Sequence, residues 1–594
     1  MRGADALPLP WRKPRNEVAL LALVGVVALL PVYTFYAQDQ SRLCLAQAFE
    51  HARLSNDACF ATSVDKARYG AHLYSDKAPG MSVLELPLAA ATRLPPAQRL
   101  DGTEFRVWLI RVATSGVAFL LGVFLVGRTA EGLAPGWGGA AIVAFGLGTL
   151  YAPLAATSFS HVAAGTTAFA AFLLAWRRRH AAAGLAVGAA VLLEYQTAAI
   201  LLLLGAYVAV RRGRAVLRYA AGAAPAIVLL LVYDALAFGS PFHLSYRYVV
   251  GSYAQRQASG FFGISRPRLH SIHEVFVGNR GILLVSPLVV AAAYGIVVLA
   301  RQARAEAAVC GAVTLFFVVL NCGYFLPYGG GSPGPRFLVP ALPFLALGLG
   351  PAFRRHPWPT SLLAVASVVP TVALTLVWTA TPPMRHTIWQ ELWHVVAEGR
   401  SSHLVRHLVG KTALGWIGSG GGALVIVVAA AAAAALAFLP RAERLAVHRW
   451  RAAAVALAAA ALLATAVRAT LMPLDLRTTI SASRLVALPG DEVDLDVALA
   501  NRARDGFTHV RLVIDLPPGA ELLGAPVVER GPGCTGTSTV TCDLDFLESH
   551  MSTHVRLGIR VAADAPPKLK VRAHGLAGSS SGPSSGITLI TGSG

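Results

Sequence analysis

The stretch VALLALVGVVALLPVYTFY (residues 18–36) decides the class of this protein, because it holds no charged residue and is long enough to cross a membrane as a helix. Basic residues precede it in RKPR (residues 12–15), and Asp39 is the first acid that follows it. Of the 594 residues, 55% are hydrophobic and only 14% are charged, and the mean hydropathy is +0.57. This composition is too apolar for a soluble protein of this length, so we predict an α-helical polytopic membrane protein.

Apolar runs of roughly 17 to 25 residues recur along the chain and predict about thirteen transmembrane helices. The predicted spans lie at 17–36, 106–127, 137–156, 160–176, 181–194, 196–210, 218–237, 281–300, 307–327, 337–353, 360–379, 421–439 and 452–472. The first run has no small-residue cleavage site near its end, so we expect it to remain as the first anchor. Residues 17–473 therefore form the predicted membrane domain.

Clusters of Lys and Arg lie on alternate connections between these spans, which is the arrangement that places them on the cytoplasmic side. They are RKPR (12–15), RRRH (177–180), RRGRAVLR (211–218), RR (354–355) and RAERLAVHRWR (441–451). We predict a multi-pass protein of the cell membrane with a cytoplasmic N-terminus (residues 1–16). The predicted outer segments are the loops 37–105, 238–280 and 381–420 and the C-terminus. Most of the net charge of +20 is then an insertion signal, so nucleic-acid binding is not expected.

The six cysteines support this orientation. Two lie within a predicted span, and the other four fall in predicted outer segments as two close pairs: Cys44 and Cys59, and Cys534 and Cys542. Disulfides persist outside the cytoplasm, so we expect each pair to be joined.

The helical texture stops after residue 473. Alternating apolar and polar residues at 492–500, 509–516 and 554–561, separated by Pro/Gly turns, predict strands that are buried on one face. We predict an extracytoplasmic immunoglobulin-like β-sandwich over residues 474–570. The Gly/Ser-rich residues 571–594 predict a flexible tail.

Two segments of this β region resemble repeat modules of bacterial surface proteins. They are IDLPPGAELLGAPVV (514–528), in which a strand ends at an LPxG turn, and GCTGTSTVTCDLDFL (533–547), in which two cysteines bracket a hairpin. The resemblance covers most of residues 480–565. It implies display outside the cell and carries no catalytic residues.

The first outer loop contains YSDKAPG (residues 74–80), a polar run that ends at a break in the backbone. Pro79 and Gly80 stop any helix after Lys77. The apolar residues 81–90 that follow are too few to span a bilayer and include Glu85, so they predict a helix that lies at the membrane surface. The break would point the polar run at that surface.

Three further features share this side of the membrane: Asp39 directly after the first span, SFSHVAAG (158–165) and GGGSPGPRFLVPALPFL (329–345). Together with YSDKAPG, they resemble integral-membrane glycosyltransferases of the GT-C superfamily, in the polyprenyl-phosphate-sugar-dependent, mannosyltransferase-like branch. The resemblance covers roughly residues 17–350. It implies inverting transfer of a sugar from a polyprenyl phosphate to an acceptor hydroxyl at the outer face. The family's paired Asp-Glu after the first span is replaced here by Asp39 and Gln40, which leaves the use of a divalent metal open.

The residue types suit this chemistry. A sugar hydroxyl is a weak nucleophile, so a carboxylate must accept its proton during attack, and Asp39 is the predicted base with Asp76 second. The leaving lipid phosphate needs fixed cations, for which Lys77, Arg280 and Arg336 are candidates. The alternative is that Asp39 only marks the end of a span, and that Asp76 and Lys77 only pair with each other in a solvated turn.

Other predicted substrate-binding residues lie in or near the outer connections: Tyr74, His161, Glu194, Tyr246 and Arg247. An acid between two apolar runs, such as Glu194, is costly unless it faces a cavity or a partner. A lone histidine at a span end is often structural, and tyrosines at this depth can form an interfacial belt. The groups His270, His273 and Glu274, and His403 and His407, have spacings that a metal could use but lack further ligands, so no metal site is predicted.

The expected partners are a polyprenyl-phosphate sugar, membrane lipids, and a glycan, lipid or protein acceptor. One rival hypothesis is a carrier or flippase for lipid-linked saccharides, which predicts charged residues deep within many spans. Another is a non-catalytic membrane-anchored surface protein whose sandwich carries the function. No P-loop, HExxH or Rossmann fingerprint is found in the sequence.

Overall fold

The structure, a computed structural model, describes residues 9–31, 37–95, 104–250, 254–377, 475–502, 507–547, 551–577 and 580–591, and the single positions 97, 389 and 430. The described residues form two compact units, a helical unit up to residue 377 and a β unit from residue 475. Of the predicted outer loop 381–420, only Trp389 is described. Its indole N–H donates to the carbonyl of Leu284 at 2.9 Å.

The described helical unit consists mainly of α-helices, numbered here in chain order. They are α1 Glu17–Leu29, α2 Ala37–Glu50, α3 Asp57–Ala61, α4 Gly80–Ala91, α5 Glu104–Arg111, α6 Val117–Leu133, α7 Gly138–Leu147, α8 Tyr151–Leu154, α9 His161–Trp176, α10 His180–Leu193, α11 Ala198–Arg212, α12 Ala215–Phe238, α13 Ala254–Gln257, α14 Leu269–Val277, α15 Ile282–Val285, α16 Leu288–Leu299, α17 Arg304–Gly323, α18 Leu342–Ala346, α19 Leu349–Arg355 and α20 Pro357–Val377. Shorter elements are the π-helical turn Val112–Gly116, the 3-10 helices Tyr195–Thr197, Ser245–Tyr248 and Arg336–Ala341, and a hairpin of β1 Ala67–Tyr69 and β2 His72–Tyr74.

Within the described residues, four helical stretches are long and apolar enough to cross a membrane: Phe105–Leu133, Ala215–Phe238, Arg304–Gly323 and Pro357–Thr375. Two bent pairs raise the number to six if each is one span. These are Leu269–Val285 with Leu288–Leu299, bent by 86°, and Arg336–Ala346 with Leu349–Arg355, bent by 57°. The described part of the helical unit therefore contains four to six candidate spans, and the prediction of thirteen is not supported.

The excess in the prediction has a physical cause. Several apolar runs form helices of 10 to 17 residues, including α1, α7, α9 and α10. Helix α9 is buried along most of its length by other helices, so its apolar residues contact protein. Hydropathy cannot distinguish burial in protein from contact with lipid. The predicted spans at 421–439 and 452–472 lie outside the described residues, except for Ala430.

The described residues of the predicted outer loop 37–105 fold into a small structure. Helix α2 packs against α4, and the disulfide Cys44–Cys59 joins α2 to α3. Helix α4 begins at Gly80, as the Pro-Gly break predicts. A Cβ atom on Gly80 would lie 2.5 Å from the carbonyl oxygen of Leu192, near the end of α10. Only glycine permits this approach, which places the polar run before Gly80 beside α10.

The β unit is a two-sheet sandwich, in agreement with the predicted all-β domain. Its strands are β3 Leu476–Ala482, β4 Val486–Ala487, β5 Glu492–Asn501, β6 Phe507–Asp515, β7 Ala520–Val528, β8 Gly533–Thr535, β9 Thr539–Leu547, β10 Ser552–Val561, β11 Lys568–Ala577, β12 Ser580–Ser581 and β13 Ser585–Thr591. One sheet has the order β3-β5-β10-β7 and the other β4-β13-β11-β6-β9-β8, with β12 paired to β11. The described pairs are antiparallel except β4 with β13. The disulfide Cys534–Cys542 bridges the hairpin of β8 and β9, where the sequence predicted it.

The prediction of a flexible tail over residues 571–594 is wrong. Residues of this segment complete β11 and form β12 and β13, and Leu589 is fully buried in the sandwich core. The segment alternates outward Gly586, Thr588 and Ile590 with inward residues, which is the strand period. Its Gly/Ser content masked this alternation in the sequence.

We expect Gly80→Ala to lower the free energy of unfolding by about 1–3 kcal/mol, because the new methyl group meets the Leu192 carbonyl. The measurement is thermal unfolding of the full chain in one detergent. Gly311→Ala is the matched control, since a Cβ there contacts nothing within 4 Å. Equal melting of both variants would contradict the close approach of α4 to α10.

Candidate functional site

A buried ion pair holds the start of α2. Asp39 lies in the first turn of α2, and Arg111 is the last residue of α5. Arg111 donates from Nε to Asp39 Oδ1 at 3.0 Å and from Nη2 to Oδ2 at 2.6 Å, and both residues are fully buried. This two-point contact engages both oxygens of the predicted base and fixes α2 against α5.

One turn further along α2, Arg42 reaches the start of α9. Its Nη2 donates to Ser160 Oγ at 2.9 Å and to Gln38 Oε1 at 3.3 Å. Arg42 is 1% exposed, and its Nε and Nη1 make no hydrogen bond to any residue that the structure describes. Unpaired, buried guanidinium donors are costly, and an anion would satisfy them.

Ser160 connects Arg42 to an acid from a third helix. Its hydroxyl donates to Oε2 of Glu194, which directly follows α10, and Tyr246 donates to Glu194 Oε1 at 3.5 Å. His161 Nδ1 lies 3.9 Å from Glu194 Oε2, and neither ring nitrogen of His161 makes a hydrogen bond to a described residue. Three predicted residues, His161, Glu194 and Tyr246, therefore meet around Ser160.

The turn at residues 75–77 contributes a second charged group. Lys77 Nζ lies 2.8 Å from Asp76 Oδ2 and 3.4 Å from Asp65 Oδ2. Asp76 Oδ1 is buried and makes no hydrogen bond within the described part of the chain. Two serines fasten the turn: Ser75 pairs with Ser41 of α2 at 3.0 Å, and Ser245 donates to the Asp76 carbonyl at 2.8 Å.

The charges of this turn shift each other's protonation. Burial raises the pKa of Asp76 above its usual range, and the neighbouring Lys77 opposes this only in part. Burial alone would lower the pKa of Lys77, but Asp65 and Asp76 together outweigh it and raise the pKa. Lys77 therefore stays a cation at neutral pH, and Asp76 accepts a proton more readily than an ordinary aspartate.

Arg336, the first residue of the 3-10 helix that precedes α18, is a third cation near His161 and Lys77. Its guanidinium lies over the rings of Phe159 and Phe337, at 5.0 and 5.5 Å from their centroids, and its Nε has no hydrogen-bond partner among the described residues. The His161 ring lies 5.6 Å from the ring of Phe337. The charge of Arg336 is close enough to act on the pKa of Lys77.

Glu85 of α4 is a buried acid that sequence reasoning used only as a sign of a surface helix. It is fully buried. Burial raises the pKa of Glu85 to about 8, opposed by Ser158 and by the charges of Arg42 and Arg111 and reinforced by Asp39. At neutral pH Glu85 is therefore mostly protonated.

Three of the predicted site residues lie elsewhere. Tyr74 packs in an apolar cluster, with its ring 5.3 Å from that of Phe238. Arg247 is exposed on the 3-10 helix 245–248. Arg280 forms a separate group, in which it donates to the carbonyl of Ser332 at 2.5 Å and lies over the Tyr328 ring at 4.4 Å. These three residues are not part of the cluster around Ser160 and Lys77.

Sequence reasoning missed Arg42, Arg111, Glu85 and Ser160. Arg111 carried a usable signal, because an arginine inside the predicted span at 106–127 must find a partner. Arg42 lies three residues after Asp39, near the same helix face. Ser160 carried no signal beyond its place beside His161.

A metal ion needs several ligands held close together. No group of three or more His, Cys, Asp or Glu side chains with suitable geometry occurs within the described ranges. Glu274 instead accepts a hydrogen bond from Tyr328 at 2.6 Å, and His403 and His407 lie outside the described residues. Both oxygens of Asp39 accept hydrogen bonds from the Arg111 guanidinium, so this carboxylate does not suit a metal ion.

We expect Arg111→Met to cost about 3–5 kcal/mol of unfolding free energy, because it leaves the Asp39 carboxylate buried without its cation. Adding Asp39→Leu should recover much of this loss, since the double variant buries no charge. Thermal unfolding of the two single variants and the double variant measures the coupling.

Arg128→Met is the control. Arg128 makes a similar two-point contact with Glu17, but its side chain is 21% exposed, so a smaller loss is expected. Additive losses from Asp39 and Arg111 would contradict the pair.

The raised pKa of Glu85 predicts that the stability of the protein depends on pH. A carboxyl whose pKa is raised on folding stabilises the protein fully below its unfolded pKa, about 4.5, and this contribution is lost as pH rises to the folded value of about 8. The unfolding temperature of the wild type should therefore fall between about pH 5 and pH 8 relative to Glu85→Gln. Parallel curves for the two proteins would show that Glu85 is ionised in the folded state.

Comparisons with known proteins add no identity. No family model and no curated protein matches the chain. The chain is similar to a structure described as AvmM, which catalyses macrocyclization in alchivemycin A biosynthesis, with 15% identity, a TM-score of 0.17, and coverage of 20% of this chain and 90% of that one. The sporulation control protein Spo0M of Bacillus subtilis is 10% identical with a TM-score of 0.15, and the match covers 21% of this chain and 51% of that one. The alkylpurine DNA glycosylase AlkC of Pseudomonas fluorescens, bound to DNA with an abasic site analog, is 14% identical with a TM-score of 0.14. The match covers 53% of this chain and 99% of that one. Similarities this weak carry no argument about fold or function.

Proposed function

We propose that this chain is a membrane glycosyltransferase that moves a sugar from a polyprenyl-phosphate carrier to an acceptor hydroxyl. The acceptor oxygen attacks the anomeric carbon and the bond from that carbon to the phosphate oxygen breaks. The polyprenyl phosphate leaves with the bonding electron pair. The hydroxyl proton passes to a carboxylate of the protein, so the single displacement inverts the anomeric configuration and needs no further reactant.

One observation carries this proposal: a buried carboxylate oxygen without a hydrogen-bond partner lies in the same cluster as cations with unpaired donors. The oxygen is Asp76 Oδ1, and the unpaired donors belong to Arg42 and Arg336. A glycosyl phosphate requires both kinds of group, since an acceptor proton must be removed while phosphate charge develops. Guanidinium groups suit phosphate oxygens because they donate through two parallel N–H groups.

The geometry favours Asp76 over Asp39 as the base. Both oxygens of Asp39 already accept hydrogen bonds from the Arg111 guanidinium, so this carboxylate is less open to an acceptor hydroxyl. Asp76 has one oxygen on Lys77 and one without a partner, and burial raises its pKa. In this proposal Asp39 positions Arg111 and α2, Asp76 accepts the proton, and Lys77 stabilises the leaving phosphate as a point charge.

The remaining assignments follow from the same proposal. Glu194 and Tyr246 border the sugar or acceptor, together with His161, whose Nδ1 lies 3.9 Å from Glu194 Oε2. The acceptor is a glycan, a lipid or a protein. No metal or other cofactor takes part in the proposed step. We place the reaction on the outer face of the cell membrane, with the N-terminus in the cytoplasm and the β-sandwich outside. Both disulfides then lie in an oxidising compartment.

The alternative of a carrier or flippase is less well supported. A carrier needs charged groups near the middle of its spans. In the candidate spans, Glu306 is the third residue of Arg304–Gly323, and Asp234 is the fifth residue from the end of Ala215–Phe238. These buried acids therefore lie near span ends. Most members of the larger polar cluster lie outside the candidate spans, and Arg111 is the seventh of the 29 residues of Phe105–Leu133.

Asp76→Asn should lower the turnover number for sugar transfer at least about a hundredfold, because it removes the proposed base. The assay is transfer of labelled sugar from a panel of polyprenyl-phosphate sugars by the full chain in lipid nanodiscs. Asp65→Asn is the matched control, since Asp65 also contacts Lys77, at 3.4 Å, but is not the proposed base. Its turnover should stay within a few-fold of the wild type. The wild-type rate should fall as pH drops below the raised pKa of Asp76.

Full activity of Asp76→Asn would exclude it as the base and return the role to Asp39 or Glu194. Binding of the donor lipid without transfer from any donor would favour the carrier. Neither binding nor transfer would favour the membrane-anchored surface protein.

A further inference from the structure

The second sheet of the sandwich presents an outward row of cations. Lys568, Lys570 and Arg572 alternate along β11 with the buried Leu569 and Val571, so all three point away from the core. None of the three forms an ion pair within the described part of the chain. Asp515 of β6 lies opposite Arg572, so the uncompensated part of this positive strip is Lys568 and Lys570.

The strand register places apolar side chains beside this strip. Ile590 of β13 lies opposite Lys568, and Val486 of β4 lies opposite Ile590. Val486 is 61% exposed and Ile590 is 50% exposed, and Leu485 and Leu488 next to Val486 are also exposed. Directly opposite residues on neighbouring strands share one face, so Val486, Ile590 and Lys568 form a row across three strands, with the apolar side chains at the sheet edge and the lysine next to them. Four of the six large apolar residues exposed on the described sandwich lie here.

The other sheet differs in its charge pattern. Two of its outward cations have acidic partners: Arg560 donates to Glu492 at 2.7 Å, and His554 lies 3.0 Å from Asp496. A third, Arg556, lies opposite Asp496 on one side and the exposed Val527 on the other. The face of β11, β13 and β4 differs in degree: Lys568 and Lys570 lie opposite Ile590 and Thr588, and four of the exposed apolar side chains are beside them.

We propose that this face of the sandwich docks on anionic lipid headgroups of the membrane that carries the chain. Unpaired Lys and Arg attract anionic headgroups, and adjacent apolar side chains insert at the boundary with the acyl chains. The sandwich begins at residue 475, directly after a predicted span at 452–472, so the lipid surface is within reach at a high effective concentration. A soluble acidic partner would satisfy the cations but would leave the four apolar side chains unexplained.

The register also sets how the domain would lie. One end of this sheet holds Val486, Ile590 and Lys568, close to the point where the chain enters it from β3 of the other sheet. From there, Lys570 and Arg572 follow along β11 toward the opposite end. The docking strip thus follows the length of the strands. The proposed lipid contact therefore follows the strands and is not confined to one end of the sandwich. This inference does not depend on the proposed glycosyltransferase activity.

The test is lysine footprinting by mass spectrometry on the full chain in nanodiscs of phosphatidylcholine alone or mixed with phosphatidylglycerol. Acylation of Lys568 and Lys570 should fall at least about threefold in the anionic nanodiscs, and raised ionic strength should restore it. Equal labelling in both lipids would overturn the proposal. So would protection that appears only after a soluble polyanion or a protein is added.

Two single variants separate docking from general charge attraction. Ile590→Asp should abolish the protection of Lys568 and Lys570, because it places an acid in the strip and removes an apolar anchor. Val527→Asp is the matched control. Val527 is 66% exposed on β7 in the other sheet, so protection should persist. Both positions are exposed, so unchanged thermal unfolding is expected. Protection that survives Ile590→Asp, or that is lost equally in both variants, would overturn the assigned face.

Discussion

The contact between Asp39 and Arg111 is the constraint on which the packing of α2 and its neighbours depends. A carboxylate and a guanidinium that are both fully buried tolerate little change of distance or angle, because neither charge has water as an alternative partner. The two-point hydrogen bond therefore sets the position of the first turn of α2 relative to α5. Ser41 and Arg42 project from that same turn and the next, so their reach toward Ser75 and Ser160 follows from the pair.

The cluster built on this constraint mixes charges of both signs instead of separating them. Lys77 lies against Asp65 and Asp76, and Arg42 is joined to Glu194 through Ser160. Interleaved charges limit the total cost of burying them, and they leave a few atoms with hydrogen-bonding capacity unused. Those few atoms give the proposed site its chemistry, because a ligand must present an anion to the guanidinium groups and a proton donor to the carboxylate.

The fold was predictable where the decisive property is local. The long candidate spans, such as Phe105–Leu133, stand out because twenty or more apolar residues form an unbroken helix. The strands of the sandwich were found by their alternation, and both disulfides by the pairing of nearby cysteines. The span number was too high because buried helices such as α9 are as apolar as those that face lipid. Strand β13 was missed because its pairing with β11 outweighs a Gly/Ser-rich composition.

By itself, the sequence determined that this is an apolar helical protein with a β domain, and that the polar chemistry gathers in the connections. It also named most members of the cluster, because a charged residue beside an apolar run is conspicuous. Only the tertiary structure decided which of them lie together and which atoms each one contacts. Arg42 and Ser160 are 118 residues apart in the chain, and Arg111, which binds both oxygens of Asp39, is 72 residues from it. Hydropathy and residue spacing describe neighbours along the chain. A carboxylate's role depends on the groups that packing places around its oxygens, whatever their distance in sequence.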